Sequence, residues 1–274
     1  MSDRPTALVL RAPGTNCDTE MCRAFELAGA RVELLHLDAA CAAPDRVDRF
    51  DLIGFPGGFS YGDDVASGRI FAMHARERLY PAFAKAISRG VPIIGACNGF
   101  QILVQMGLLP GPDAGAPWNP ASPPGQTVAL TDNRDCRFHD EWVRVSITPG
   151  SPCVWTSTLL DEYPDDMGEL ALRLPIAHGE GRFVATSPEI AQNLLASGRV
   201  PVRYIDDPNG SELAIAGICD ASGRVFGLMP HPERYLDWTR HPFWTRLPAA
   251  LLKKPAPGMV MFRAAVESAR AVRA

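Results

Sequence analysis

The chain has 274 residues, 46% of them hydrophobic, and a formal net charge of −4. That length suits one large domain or two small ones with a substantial buried core. The mild, mixed charge gives no footing for nucleic acid or a membrane surface, and no run approaches the roughly 18 apolar residues a membrane span needs.

The apolar stretch from Ala7 to Leu10 is too short for a secretory signal, so a cytoplasmic protein is expected. "TALVLRA" (6–12) reads as a buried strand. In "NCDTEMCRAFELAG", Met21, Ala24, Phe25 and Ala28 recur at helical spacing, with Asn16 or Asp18 as N-cap and Gly29 as the stop. "RVELLHL" is a second strand and "DLIGF" (51–55) a third. A helix is expected from about Arg76 to Ser88, with Leu79, Phe83 and Ile87 on one face and Gly90 ending it. "VPIIGA" (91–96) is a fourth strand, and residues 98–106 form a helix stopped at Gly107. This alternation predicts a parallel sheet covered on both faces, with sites beyond the carboxyl ends of its strands. Residues 109–126, rich in Pro, Gly and Ala, read as a long surface loop. The remainder is strand-like: "TVALT", "EWVRVSIT", "ELALRLPIAHGEGRFVA", and "LAIAGICDASGRVFGLM" with a hairpin turn at 220–223.

The seven cysteines are Cys17, Cys22, Cys41, Cys97, Cys136, Cys153 and Cys219. An odd, scattered set without a C-x-x-C pair is neither a disulfide framework nor a structural zinc site, and no metal is expected. Six read as small buried hydrophobes. Cys97 differs. "GACNG" (95–99) puts it between glycines at a strand-to-helix junction, the form of a nucleophile elbow. Glycines admit a tight turn there, and the helix beginning at Asn98 points free N–H groups and its positive end at the sulfur, favouring the thiolate.

A thiolate nucleophile needs an oriented base. "GLMPHPERY" (227–235) offers His231 with Glu233 two residues on, facing the same side of an extended stretch and able to fix the imidazole tautomer. "PIAHGEGRF" offers His178 with Glu180 at the same spacing, and the spacing does not choose between them. His36 lies within a strand; His74, His139 and His241 look solvated. "FPGGF" (55–59) ends a strand in bare backbone N–H groups, a good oxyanion site, with the N–H of Asn98 as a second donor.

A strand ending in "PGG", "GACNGFQ" some forty residues on and "HPE" near the end together resemble the class I, or triad, glutamine amidotransferases. Within that class, "PGTNCDTEM", "PGGFSYGDDVASGRI", "GACNGFQIL", "PIAHGEGRF", "DPNGSELAIAGICD" and "LMPHPER" are similar, in that order, to the glutaminase subunits of phosphoribosylformylglycinamidine synthase. The resemblance covers most of residues 6–235. It implies a single flavodoxin-like α/β domain over 1–274: an open, mostly parallel sheet with helices on both faces, plus antiparallel strands in the C-terminal half. It implies a Cys97–His231–Glu233 triad that hydrolyses glutamine to glutamate and ammonia, with the oxyanion held by Gly57, Gly58 and Asn98 and glutamine bound by Gln101. It also implies a partner synthetase that takes the ammonia and, with ATP and Mg, converts formylglycinamide ribonucleotide to its amidine in purine synthesis, with a small accessory subunit as a further partner. "SYGDD" with Arg69 is expected near substrate or partner. Residues 110–126 and the tail from Leu236 look expanded beside the compact bacterial subunit, although "GMVMFRAAVESAR" fits a final helix.

The residues support that division of labour. No Gly-x-x-x-x-Gly-Lys-Ser/Thr phosphate loop is present, so no nucleotide or other cofactor is expected in this chain. Ammonia released into water would be protonated, so a sealed partner interface is required. The alternatives are a cysteine peptidase-type hydrolase on a related fold, a catalytically silent interaction subunit, and a glutaminase serving another synthetase.

Overall fold

A computed structural model describes residues 4–164 and 166–273. Its strands are β1 (Thr6–Arg11), β2 (Arg31–His36), β3 (Leu52–Phe55), β4 (Ile93–Ala96), β5 (Val128–Thr131), β6 (His139–Ile147), β7 (Arg173–His178), β8 (Arg182–Ala185), β9 (Val202–Tyr204), β10 (Ile215–Cys219) and β11 (Val225–Leu228). Its α-helices are α1 (Asp18–Leu27), α2 (Leu37–Ala42), α3 (Arg69–Arg78), α4 (Tyr80–Ser88), α5 (Asn98–Met106), α6 (Leu159–Glu162), α7 (Asp166–Ala171), α8 (Pro188–Ala196), α9 (Ala249–Leu252) and α10 (Pro257–Arg273).

Nine strands form one sheet in the order β2-β1-β3-β4-β11-β10-β9-β6-β7, and β5 pairs with β8 apart from it. The first five of that order run parallel, and the other four join antiparallel. This is the expected mostly parallel sheet with antiparallel strands from the C-terminal half, the hairpin at 220–223 joining β10 to β11. Alternate residues feed two cores. Leu8, Leu10, Ile53, Phe55 and Ile93 pack with α2, α3, α4 and α5, while Ala7, Val9, Leu52, Ile94 and Ala96 pack with α1, Trp155 and α10. Burial on both faces is why these strands read as continuous apolar runs.

Several local expectations are corrected. The helix expected from Arg76 is two helices, beginning at Arg69 and broken at Leu79. Pro81 opens the second: it lacks an N–H and tolerates only a first turn. "ELA" ends α7 and is not strand, and α8 was overlooked, although Ser187–Pro188 and Gly198 bracket it as start and stop signals. The N-cap of α1 is Cys17, with no side-chain cap bond, and Asp18 is its first helical residue. Cys136 is exposed and Cys22 and Cys41 are half-buried, so only Cys17, Cys153 and Cys219 fit the buried-hydrophobe reading beside Cys97. His241 is buried against Trp142 and Tyr235 and is not solvated. The loop at 110–126 packs on the body: Trp118 lies against the core that holds α2 to α5, and Pro123 comes within 3.2 Å of where a Cβ on Gly107 would sit. Among the described residues, no helix is long and apolar enough to cross a membrane.

Candidate active site

The loops following β1, β3, β4 and β11 converge beyond the carboxyl ends of those parallel strands, around the point where the order turns back between β1 and β3. Cys97 links β4 to α5 with φ 53° and ψ −110°, a left-handed conformation for a residue with a side chain. Such a backbone costs about 1–3 kcal/mol and persists only when its surroundings enforce it. Here the Cys97 N–H donates to Leu228 O at 2.8 Å, and Gly99 lies so close to β3 that a Cβ there would sit 1.9 Å from Phe55 O. The N–H of Asn98, first in α5, has no intrahelical acceptor. Cys97 is 5% exposed, and its thiol faces Ala177 O at 3.6 Å.

His231 and Glu233 are each 1% exposed. The pairing expected from an extended stretch exists, but a 3₁₀ turn over Pro232–Arg234 makes it. Pro232 suits the first position of such a turn, so the two prolines around His231 favour the bend. The His231 N–H donates to Pro175 O at 2.9 Å, and Nδ1–H donates to Glu233 Oε1 at 2.6 Å. A carboxylate only accepts, so this bond keeps a proton on Nδ1 and leaves Nε2, buried and unpartnered, as the nitrogen that gains or loses the second proton. Burial works against a charged ring. The Glu233 carboxylate, with the neighbouring Cys97 and Cys17, outweighs it and holds the His231 pKa well above its ordinary value.

The rival pairing does not form. His178 Nδ1 bonds Asn133 Oδ1 at 3.1 Å, while Glu180 Oε2 turns away to accept from the N–H of Ser67 at 3.2 Å. Burial, with His231 and His139 nearby, pushes the His178 pKa down to about 3, so this ring stays neutral.

Gly57 O accepts from the N–H groups of Asn16 at 3.4 Å and Cys17 at 3.2 Å. A trans peptide points the next N–H the opposite way, so that of Gly58 is directed away from α1. Gly57 has a second reason to lack a side chain: a Cβ would lie 2.6 Å from His231 Cε1. The "SYGDD" loop is tied to α5. Asn98 Oδ1 accepts from the Ser60 N–H at 3.4 Å, and Asn98 Nδ2 donates to Asp63 Oδ1 at 3.3 Å and Gln101 Oε1 at 3.0 Å. Gln101 Nε2 donates to Glu180 O at 2.6 Å. Gln101 thus forms a buried wall between α5 and the 178–181 turn.

Sequence reasoning missed three supports. Asn133 gathers Gly181 N–H, His178 Nδ1, His178 O and Arg137 O, and Asn209 of "DPNGS" donates to Gly181 O at 2.8 Å, so two buried asparagines hold the turn that follows Ala177, whose O the Cys97 thiol faces. The third is Cys17, read as a core thiol: its sulfur lies 3.9 Å from His231 Nδ1 and 3.0 Å from Arg234 Nη2. The only sequence signal was that Cys17 lies in "PGTNCDTEM" and Asn209 in "DPNGSELAIAGICD"; Asn133 lies in none of the motifs. Cys17, His231 and Glu233 bring three ligand-type atoms within 4.8 Å. A hydrogen bond between His231 and Glu233 and a guanidinium on the sulfur already engage those same atoms. That chemistry fits a proton-handling cluster and disfavours a cation.

A family profile described as a CobB/CobQ-like glutamine amidotransferase domain matches residues 4–268, running well into the tail that the sequence suggested was an extension. The phosphoribosylformylglycinamidine synthase subunit PurQ of Dehalococcoides mccartyi is 41% identical over 272 residues, covering 97% of this chain and 98% of that one. The Thermotoga maritima subunit of the same name is 38% identical, covering 85% and 90%. A solved structure of PurLQS from Thermotoga maritima superposes with a TM-score of 0.70 at 33% identity, covering 96% of this chain and 98% of that one.

Proposed function

The chain belongs to the CobB/CobQ-like glutamine amidotransferase domain family, and from that membership we propose that it is the glutaminase subunit of a phosphoribosylformylglycinamidine synthase. It hydrolyses glutamine to glutamate and ammonia and passes the ammonia to a synthetase, which uses ATP to make formylglycinamidine ribonucleotide from formylglycinamide ribonucleotide. ATP and Mg belong to that partner. Glutamine hydrolysis asks nothing of this chain beyond side chains, backbone N–H groups and water. The whole of 1–274 acts as one domain, in the cytoplasm.

In the proposed chemistry Cys97 gives its proton to His231 Nε2 and its sulfur attacks the side-chain amide carbon of glutamine. The N–H groups of Gly58 and Asn98 hold the oxyanion. The imidazolium returns the proton to the departing nitrogen, ammonia leaves, and His231 activates water to cleave the thioester, releasing glutamate and the thiol. The observation that carries this reading is the buried His231–Glu233 bond of 2.6 Å beside a cysteine held in left-handed backbone. Such a pair suits a base that must hold a proton taken from sulfur. Gln101 shapes the pocket wall that glutamine meets, and Gly57 leaves room for the imidazole. The 41% identity over nearly the whole chain favours a purine-pathway glutaminase over a peptidase, a silent subunit or another synthetase's partner.

The test mixes the purified chain with the synthetase, ATP, Mg, glutamine and formylglycinamide ribonucleotide. Glutamate and amidine should form together in equal amounts. Glutamate without amidine would overturn the partner assignment, and neither product would overturn the function.

A further inference from the structure

The chemistry above leaves one nearby buried nucleophile idle. Cys17 occupies the N-cap of α1 but makes no side-chain cap bond. Its side chain turns into the site. The thiol donates to Asn16 Oδ1 at 3.2 Å, and the sulfur accepts from Arg234 Nη2 at 3.0 Å. The backbone N–H of the same residue holds Gly57 O at 3.2 Å. A Cβ on Gly57 would lie 3.3 Å from that sulfur and 2.6 Å from His231 Cε1. Cys17, the "PGG" turn and the imidazole therefore pack against one another without a gap.

Arg234 is the residue next to Glu233 in the chain, and it is the hazard in this arrangement. A guanidinium is a rigid fork matched to a carboxylate. Glu233 spends Oε1 on His231, and its Oε2 is buried without a partner. Both residues line a cavity of about 620 Å³ with Glu20, Asp140 and Asp237, so an unanchored Arg234 side chain has room to move. A guanidinium resting on Glu233 would weaken its hold on His231 Nδ1 and set a positive charge beside a ring that must become positive.

We propose that Cys17 is a positioning residue for the base: its sulfur anchors Arg234, so that Glu233 stays committed to His231, and its bulk fixes the face of the ring. This inference rests on the reading of Cys97, His231 and Glu233 as the glutaminase centre. The titratable and charged groups around His231 are Glu233 and Arg234 on its own turn, Cys17 at the start of α1, Cys97 at the elbow and His178 on β7. Of these, only Cys17 and Arg234 are altered in the test, so a change in the pH profile reports on them.

The experiment measures glutamine hydrolysis by the synthetase complex from neutral to alkaline pH. It compares the wild type with Cys17→Ala, Cys17→Val, Cys17→Ser and the double variant Cys17→Ala/Arg234→Met. In Cys17→Ala, kcat should fall about tenfold or more, the scale of a displaced catalytic group, with a much smaller change in KM. Its alkaline limb should move to lower pH, because a cation drawn onto Glu233 releases the imidazolium proton earlier. Cys17→Val keeps volume but offers no acceptor, and should behave like Cys17→Ala; it carries the comparison if the alanine variant does not fold. Cys17→Ser, whose hydroxyl still accepts from Arg234, should lie nearer the wild type. Removing Arg234 in the alanine background should return the limb toward its wild-type position, which a merely structural defect would not do. An active wild type with Cys17→Val indistinguishable from it, or no recovery in the double variant, overturns the role of Cys17 alone. A wild-type complex that releases no glutamate overturns the reading of the site and this role with it.

Discussion

At the scale of single residues, the site depends on the one proton that Glu233 holds in place on His231 Nδ1. Its bond to His231 Nδ1 orients the ring, and its charge is the largest influence raising the ring's pKa against burial. Glu233→Gln keeps an acceptor oxygen but removes that charge. Its kcat should fall on the order of 100- to 10,000-fold, as when a triad carboxylate becomes an amide. Its alkaline limb should also move to lower pH, since the raised His231 pKa falls toward its ordinary value. A pH–rate profile of the complex measures both, and an unmoved limb would mean Glu233 does not set the proton's residence. The residue types were legible in "GACNG" and "HPE". The choice between His178 and His231 was not, because both carry a glutamate two residues on. Asn133, forty-five residues before His178, and Ser67, far from Glu180 in sequence, decide it through side-chain bonds that no local pattern encodes.

At the scale of elements, the elbow is a packing device. α5 lies so close to β3 and β4 that a Cβ on Gly99 would sit 1.9 Å from Phe55 O and one on Gly95 would sit 2.5 Å from Gly99 O. Gly99→Ala should lift α5 off the sheet, lowering the stability measured by denaturant unfolding by about 1–3 kcal/mol, typical of overpacking. It should also depress glutamine turnover more than ammonia-dependent synthesis, because the displaced helix carries Asn98 and Gln101. Equal loss of both activities would count against the elbow's role. Strands β1 to β4, α1 and α5 were legible because buried runs, stop glycines and the strand-to-helix change all agreed, whereas the three-residue β9 was too short to show a pattern. The break at Leu79 was not read, although Pro81 inside the pattern should end the preceding helix. α8 was lost when "strand-like" was extended over a stretch with its own start and stop signals. The turn at Pro232 shows how two prolines make a bend where an extended reading seemed enough.

At the scale of the whole molecule, one twisted sheet holds two cores apart and gathers the site at its carboxyl edge. Burying histidines there makes stability depend on pH in two directions. The His178 pKa is lowered to about 3, so its contribution is complete above its ordinary value of 6.5 and fades as pH falls toward 3. His241, held down by burial and Arg173, adds in the same sense. His231, raised, contributes fully below the ordinary value and loses that contribution as pH rises through its higher pKa. Thermal unfolding should therefore show a falling Tm on acidification from about pH 7 to about pH 4, with a shallower slope in His178→Asn. Equal slopes would mean that this ring is not held neutral.

The assembly supplies the most direct test of the central claim, that Cys97 opens the amide of glutamine for a partner that consumes the ammonia. The complex is assayed for formylglycinamidine ribonucleotide with Cys97→Ala in place of the wild type, once with glutamine and once with an ammonium salt. If that claim holds, the variant makes no product from glutamine and keeps its rate with ammonium. Continued product from glutamine would contradict it.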